Sequence, residues 1–448
     1  MSGDRMRQKT TSHILSARGG SIVRTGEYPA GPDGVARGAR RTKGRLDRQT
    51  KLLLLVNGLF VTANALSGTF VNVYLWKSTN DFSLIAWFAL VTHAAGALTF
   101  WLSGGWVKRH NKMNCLRLGV AVSALFYLTV LLLGARAASY VALLGAVQGM
   151  ASGFFWLAFN VVYFEVTEPG NRDLFNGWAG LSGSLAGMIA PWISGYLITH
   201  MKETAGYRLI FTLSLAVFLI GVAFSFFLKK RKAQGRYYWF YFLGCLKENR
   251  HSWKWAAAAL AAQGMREGVF AFIIGLLVYI STQSEMTLGN YSFVTSAVGL
   301  VSFMLAGKLL KPRFRRGAML AGAAAMVGVI LVFFWRVNFV SLLIFGVSVA
   351  LFYPLFSLPM TSATFDLIGR DQESVRNRVE YVVLRELALD AGRIIGVLIF
   401  LAVVSFDASP ATLNWLMLGI GSAPLLAWFC MRNVLGGSGA TSSADGEK

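Results

Sequence analysis

Six ionisable residues lie inside otherwise apolar stretches: Arg266 and Glu267 in one, and Arg385, Glu386, Asp390 and Arg393 in another. A charged side chain at the centre of a bilayer costs at least ~2.5–3.5 kcal/mol even on insertion scales, so its presence there points by default to function. Three positive charges balance three negative ones. At 100° per residue, Glu386, Asp390 and Arg393 fall within about 60° of one another on a helix. Arg385 takes the neighbouring face, among Ala388, Gly392 and Gly396. Arg266 lies ~17 Å into its helix and Arg393 about 18 Å into the other, both near a membrane midplane. By depth, Arg266 pairs with Asp390 and Glu267 with Arg393. Such a cluster either holds a substrate charge and passes protons, with Glu267 or Asp390 titrating as its hydration changes, or it fastens two helices permanently. Six charges exceed what one fastening needs.

The elements that must position these groups are membrane helices. Only 14% of the 448 residues are charged while 55% are hydrophobic, and the apolar residues come in runs near the ~20 needed to cross hydrocarbon as a helix. Twelve such runs occur, near 52–76, 82–102, 114–134, 140–163, 177–199, 207–228, 255–280, 286–307, 318–335, 339–363, 381–404 and 413–431. A transmembrane barrel would instead alternate in segments of ~10 residues. The fold expected is therefore all-α and integral to the membrane: twelve transmembrane helices in two six-helix bundles, 51–228 and 255–432. The links between spans leave no room for a soluble catalytic domain.

A net charge of +22 raises the question of nucleic acid, but its distribution answers otherwise. With the N-terminus in the cytoplasm, 35 of the 43 Lys and Arg face the cytoplasm. Lys77, Arg136, Lys202, Arg208 and Arg336 face outward, and the remaining three are inside helices. That asymmetry obeys the positive-inside rule and places both termini in the cytoplasm of a bacterium, with the spans in its inner membrane. Anionic headgroups attract basic loops at about 1 kcal/mol per residue, so lipid accounts for the charge without nucleic acid. Residues 1–50 carry eleven Lys or Arg, eight Gly and no helical period, and read as a disordered basic tail. The apolar run after them is longer than a signal-peptide core. A second cytoplasmic tail is expected over 433–448. The stretch 229–254 alternates basic clusters with Tyr237–Phe242 and reads either as a helix in the membrane interface or as a charged linker between the bundles. Cys115, Cys245 and Cys430 fall at cytoplasmic helix ends or in that linker, so no disulfide framework is expected.

The two halves repeat one another. Gly104–Lys112 after the second span, with Arg109 and Lys112, is answered 203 residues later by Gly307–Arg316, with Arg315 and Arg316. Phe154–Phe159 in the fourth span is answered 197 residues later by Leu351–Phe356, and each of these spans is followed by an acid, Glu165 or Asp366. Repeats of this length with six spans each are the organisation of many secondary transporters. The paired loops resemble the G-x-L-x-D-R-x-G-R-R pattern of the major facilitator superfamily, where this loop helps lock the cytoplasmic face. Lys108 and Lys311 stand where that family has Asp, and Glu165 and Asp366 are the substitute acids. The Gly/Pro-rich fifth span, with small residues at 180, 184, 187, 191 and 194, resembles that of the family's exporters. Close helix packing explains the same residues. Gln148-Gly149 matches part of the family's R-x-x-Q-G motif, with Gly145 at the arginine position. Gln263–Gly268 and Glu380–Glu386 are similar to the YqgE-type branch.

In the N-terminal half the midplane is polar but uncharged. Asn57, Asn64, Gln148, Trp156 and Asn160 are expected to line a cavity with Tyr353 of the other half. Trp156 and Tyr353 either flank a substrate or simply pack, and His93 is either a proton carrier or a packing residue. There is no Walker A, HExxH, Cys/His zinc spacing or Gly-x-Ser-x-Gly, so no enzyme, metal or cofactor is expected. The resemblance implies a monomeric secondary active transporter of a small solute, coupled to protons and acting as an exporter. A transporter-like membrane sensor without solute flux is the alternative.

Overall fold

Long helices begin where a short polar side chain can accept from the exposed amides of the first turn. Asp47 accepts from Thr50 N (2.8 Å), Asp81 from Ser83 N (2.8 Å), and Ser284 from Thr287 N (3.2 Å). The first six long helices are α1 (Arg48–Thr79), α2 (Phe82–Arg109), α3 (Lys112–Leu133), α4 (Val141–Val166), α5 (Arg172–His200) and α6 (Ala205–Ser225). A short α7 (Tyr241–Lys247) lies in the linker. Then follow α8 (Trp253–Thr282), α9 (Glu285–Leu309), α10 (Arg315–Trp335, tightened to a 3-10 turn at Val329–Leu331), α11 (Phe339–Ile368), α12 (Arg378–Phe406) and α13 (Pro410–Leu435). The computed structural model describes residues 46–167, 172–201, 204–230, 236–248, 252–368 and 376–437. The expected tails at 1–50 and 433–448 fall largely outside them.

Eleven helical stretches among the described residues are long and apolar enough to cross a membrane. One of them, Lys112–Tyr163, spans 52 residues and holds both α3 and α4, folded back at the 3-10 turn Gly134–Tyr140, so the crossings number twelve. Several helices outrun their apolar runs because capping and polar ends extend them past the hydrocarbon. An even number of crossings leaves the start of α1 and the end of α13 on one side, here called the terminal side, opposite the far side.

The halves pack alike. In the first, α1 packs on α5 and α6, and α3 on α4 and α6; in the second, α8 packs on α12 and α13, and α10 on α11 and α13. The turns after α1 and α8 are also copies: Asn80 (φ 51°) and Gln283 (φ 50°) both take the left-handed conformation and donate back to Trp76 O and Tyr279 O. Two extensive contacts join the halves, α2 on α12 and α5 on α9, with smaller ones of α1 and α2 on α8 and of α4 on α12.

Candidate functional site

Glycine sets how closely α8 and α12 approach. A methyl group on Gly264 would strike the Leu389 carbonyl, one on Gly392 the Ala261 carbonyl, and one on Gly396 the Met265 carbonyl. Small residues at four-residue spacing permit this backbone contact, which brings the charges of the two helices together.

Arg393 is the hub. It donates to Asp390 Oδ1 (2.7 Å) and Glu267 Oε2 (3.2 Å), with Glu386 Oε2 at 3.9 Å. Arg385 pairs with Glu386 Oε1 (2.6 Å). Glu267 Oε1 also accepts from Gln263 (2.7 Å) and from the Tyr353 hydroxyl (3.2 Å). From the other half, His93 Nδ1 on α2 stands 3.8 Å from Asp390 Oδ1. The expected pair of Glu267 with Arg393 is present. The expected pair of Arg266 with Asp390 is absent: α12 packs on the Gly264/Gly268 face of α8, and Arg266 points about 180° away from it. Its guanidinium instead stacks on Phe270, 4.6 Å from the ring centroid.

Two cavities adjoin this network, and a third joins the first of them. One of about 410 Å³ lies between α2, α4 and α12 and includes His93, Trp156, Asn160, Arg385, Asp390 and Arg393. A second, about 730 Å³, shares His93 and Arg393 with the first and adds Arg266, Glu267 and Tyr353. A third, about 800 Å³, shares Trp156 and Asn160 with the first and runs past Asn57 and Tyr163 to Arg315 and Asp366 on the terminal side. Trp156 and Tyr353 thus line different cavities. Asn64 and Gln148, expected at the cavity wall, line none of the three. The Asn64 amide turns back to Phe60 O (2.9 Å), a bond within its own helix, and Gln148 keeps a buried Oε1 without a hydrogen-bond partner.

At the helix ends the expected gate residues resolve into pairs. Lys112 pairs with Glu165, and Arg315 with Asp366 (3.1 Å), each within one half. Arg109 and Arg316 are exposed. Sequence reasoning missed the pairs that cross between halves. On the terminal side Lys108 of α2 meets Glu380 of α12, both buried, and the Tyr238 amide donates to the same carboxylate (3.3 Å). Gly104 and Gly105 leave room for Tyr237 and Trp239 of the linker. Burial and the nearby Glu380 push the Tyr237 phenol up, so it remains a donor, here to Trp101 O (3.3 Å). On the far side Lys77 of α1 meets Glu285 of α9 (2.8 Å), which also accepts from Tyr207 (2.8 Å). The signal that would have found the first pair was available: a lysine at a position the family keeps acidic needs an acid opposite.

Helix α5 is close to α9 only toward the far side. Methyl groups on Gly195 and Gly289 would strike the facing backbone, and Ser296 donates to Gly187 O (3.1 Å). Gly177, Gly180 and Gly183 have open space beside them, and Gly183 borders the 800 Å³ cavity.

The model of the Major Facilitator Superfamily matches residues 53–372. The chain belongs to this superfamily. It is 42% identical over 382 residues to the Bacillus subtilis protein YqgE, covering 84% of this chain and 88% of that one. It is 41% identical over 196 residues to an uncharacterized protein in the sodM 3′ region of Geobacillus stearothermophilus, covering 44% of this chain and 92% of the relative. Among solved structures, a bacterial homologue of the iron transporter ferroportin in its outward-facing state superposes with a TM-score of 0.64 at 17% identity, covering 87% of this chain and 99% of that one. The nucleoside transporter NupG (D323A mutant) gives 0.65 at 12% identity, covering 86% and 99%. This major facilitator protein is a multi-pass membrane transporter, and its substrate is a small molecule. At such identities the structural likeness speaks for the fold alone.

Proposed function

We propose that this protein is a proton-coupled secondary active transporter that moves a small solute across the bacterial inner membrane by alternating access. The observation that carries the reading is Asp390, a carboxylate of the second half lying between Arg393 on its own helix and His93 on the first half, at the wall of a cavity that both halves line. If 51–228 and 255–432 rock against each other, Asp390 exchanges one neighbour for water. A carboxylate's proton affinity rises when it is desolvated and falls beside an arginine, so the motion alternately loads and unloads a proton. Excess basic residues in the loops of the terminal side support a cytoplasmic position for that side. Lys108–Glu380 and Lys77–Glu285 are the ties that open in turn, and the glycine-rich α5, similar to that of exporters, favours outward transport.

The test is flux in proteoliposomes with and without a pH gradient. Asp390→Asn abolishes gradient-driven accumulation but leaves substrate exchange, and Glu267→Gln does the same if the proton sits one residue further along the network. Accumulation unchanged in both variants removes the coupling role. A folded protein that moves no member of a broad solute panel favours the sensor reading.

A further inference from the structure

Among the described charged side chains near the midplane, Arg266 touches no opposite charge. The Glu267 carboxylate is taken up by Arg393, Gln263 and Tyr353, Glu386 by Arg385, and Asp390 by Arg393. No carboxylate of a described residue reaches Arg266 within ion-pair distance. Its Nε has no hydrogen-bond partner, the residue is only 6% exposed, and its side chain borders the 730 Å³ cavity. A guanidinium stays charged in a protein and carries five donors in its plane. Stacking one face on Phe270 fixes that plane against the cavity wall and leaves its edge free. The wall is largely apolar, with Ile274, Phe345 and Val349 among its lining, and its charged members are Arg266, Arg393 and the Glu267 that Arg393 already holds.

We propose that Arg266 is the anion-binding residue of the transport cavity, and that the substrate is an organic anion whose carboxylate, phosphate or sulfonate docks on Arg266 while an apolar body fills the cavity. This rests on the transporter reading and names its substrate class. The pairing supports this rather than the overall charge, since three arginines and three carboxylates sum to zero: Arg393 and Arg385 each touch a carboxylate, whereas Arg266 touches none among the described residues. Its position also suits coupling. Glu267, the next residue, is held by Arg393, so an anion on Arg266 lies beside the network that contains Asp390.

The test uses the full chain in nanodiscs of zwitterionic phosphatidylcholine, with empty nanodiscs subtracted. Three probes of one shape are compared: 2-naphthoate, the neutral 2-naphthylmethanol and the cationic 2-naphthylmethylamine. Hydrogen bonds to a charged group predict that naphthoate binds about ten- to a hundredfold tighter than the alcohol. Arg266→Gln removes that preference, so that naphthoate binds no tighter than the alcohol, while Arg266→Lys keeps part of it. Equal binding of the three probes, no binding of the anion, or an anion preference intact in Arg266→Gln overturns the assignment. If Arg266→Gln does not fold, the comparison of probes on the unaltered protein decides alone. Anion binding without flux of any solute sinks the transporter reading and leaves the site; flux of a neutral or cationic solute with no anion preference does the reverse.

Discussion

Four ion pairs near the helix ends divide into two kinds. Lys112–Glu165 and Arg315–Asp366 join neighbouring helices inside one half, at equivalent places in the two repeats. Lys108–Glu380 and Lys77–Glu285 join one half to the other, at opposite sides of the membrane. The first kind keeps its partners whatever the halves do. The second kind must part if the halves rock. The extremes of burial fall on the two sides of that division: the Lys108 and Glu380 side chains are 6% and 1% exposed and Asp366 is 57% exposed. Lys112 at 11% and Lys77 at 44% show that burial does not follow the division throughout. Within one half, the Arg315–Asp366 pair is solvated; between the halves on the terminal side, the sequence buries both charges and backs them with the linker.

The sharpest way to break this contrast is at the buried terminal-side pair. Removing one partner of a buried pair costs ~3–5 kcal/mol, whereas replacing both can be nearly neutral. Lys108→Leu should therefore lower the melting temperature in detergent more than any other change at the helix ends, and adding Glu380→Leu should recover most of the loss. Strictly additive losses would show that the two charges do not depend on each other. A smaller effect is expected on the far side, because Lys77 is 44% exposed and Glu285 keeps Tyr207 as a second donor. Here the readout is access rather than stability. With Cys115, Cys245 and Cys430 replaced by Ser, a cysteine at Thr295 in the cavity wall should react several-fold faster with an impermeant thiol reagent in intact cells once Lys77→Ala is added. An unchanged labelling rate would remove the tie from the gating scheme.

Much of the fold was legible because hydrophobic run length is a strong signal when the solvent is lipid. All twelve runs became helices, and the repeat of 203 residues predicted copies that extend to the turns at Asn80 and Gln283. The linker was legible as aromatic and basic, and α7 forms within it. Membership of one charge cluster was legible from helical spacing, but its pairing was only half so. Glu267 meets Arg393 as depth suggests, whereas depth alone misled for Arg266. The face that α12 covers is set by Gly264 and Gly268, and a residue midway between two packing glycines must point away from them. The cross-half pairs were not legible from spacing, since Lys108 and Glu380 are 272 residues apart and meet only through tertiary packing. Asn64 shows the converse: a polar residue at the right depth can satisfy itself within its own helix and line none of the three cavities.

The smallest effect, and the one that completes the contrast, belongs to Arg315 and Asp366. The pair spans α10 and α11 inside one half, with Arg315 at 25% and Asp366 at 57% exposure, and the guanidinium reaches the carboxylate at 3.1 Å. Exposed pairs of this kind are worth ~0.2–1 kcal/mol, because water solvates both charges well when they separate and ordering two side chains costs entropy. Salt screens what remains, over a Debye length of about 10 Å at 0.1 M. Arg315→Gln should thus shift the melting temperature little at low salt and not at all near 1 M. If the pair only holds neighbouring helices together, flux and thiol access should also stay as they are, since the pair need not part as the halves move. A loss of transport with stability intact would give Arg315 a different role. It lines the terminal end of the 800 Å³ cavity, where a cation could meet a negatively charged solute on its path. Asp366→Asn separates the two possibilities: losing the pair through the acid leaves Arg315 in place, so transport should survive this change if Arg315 acts on the solute and fail if the pair itself is needed.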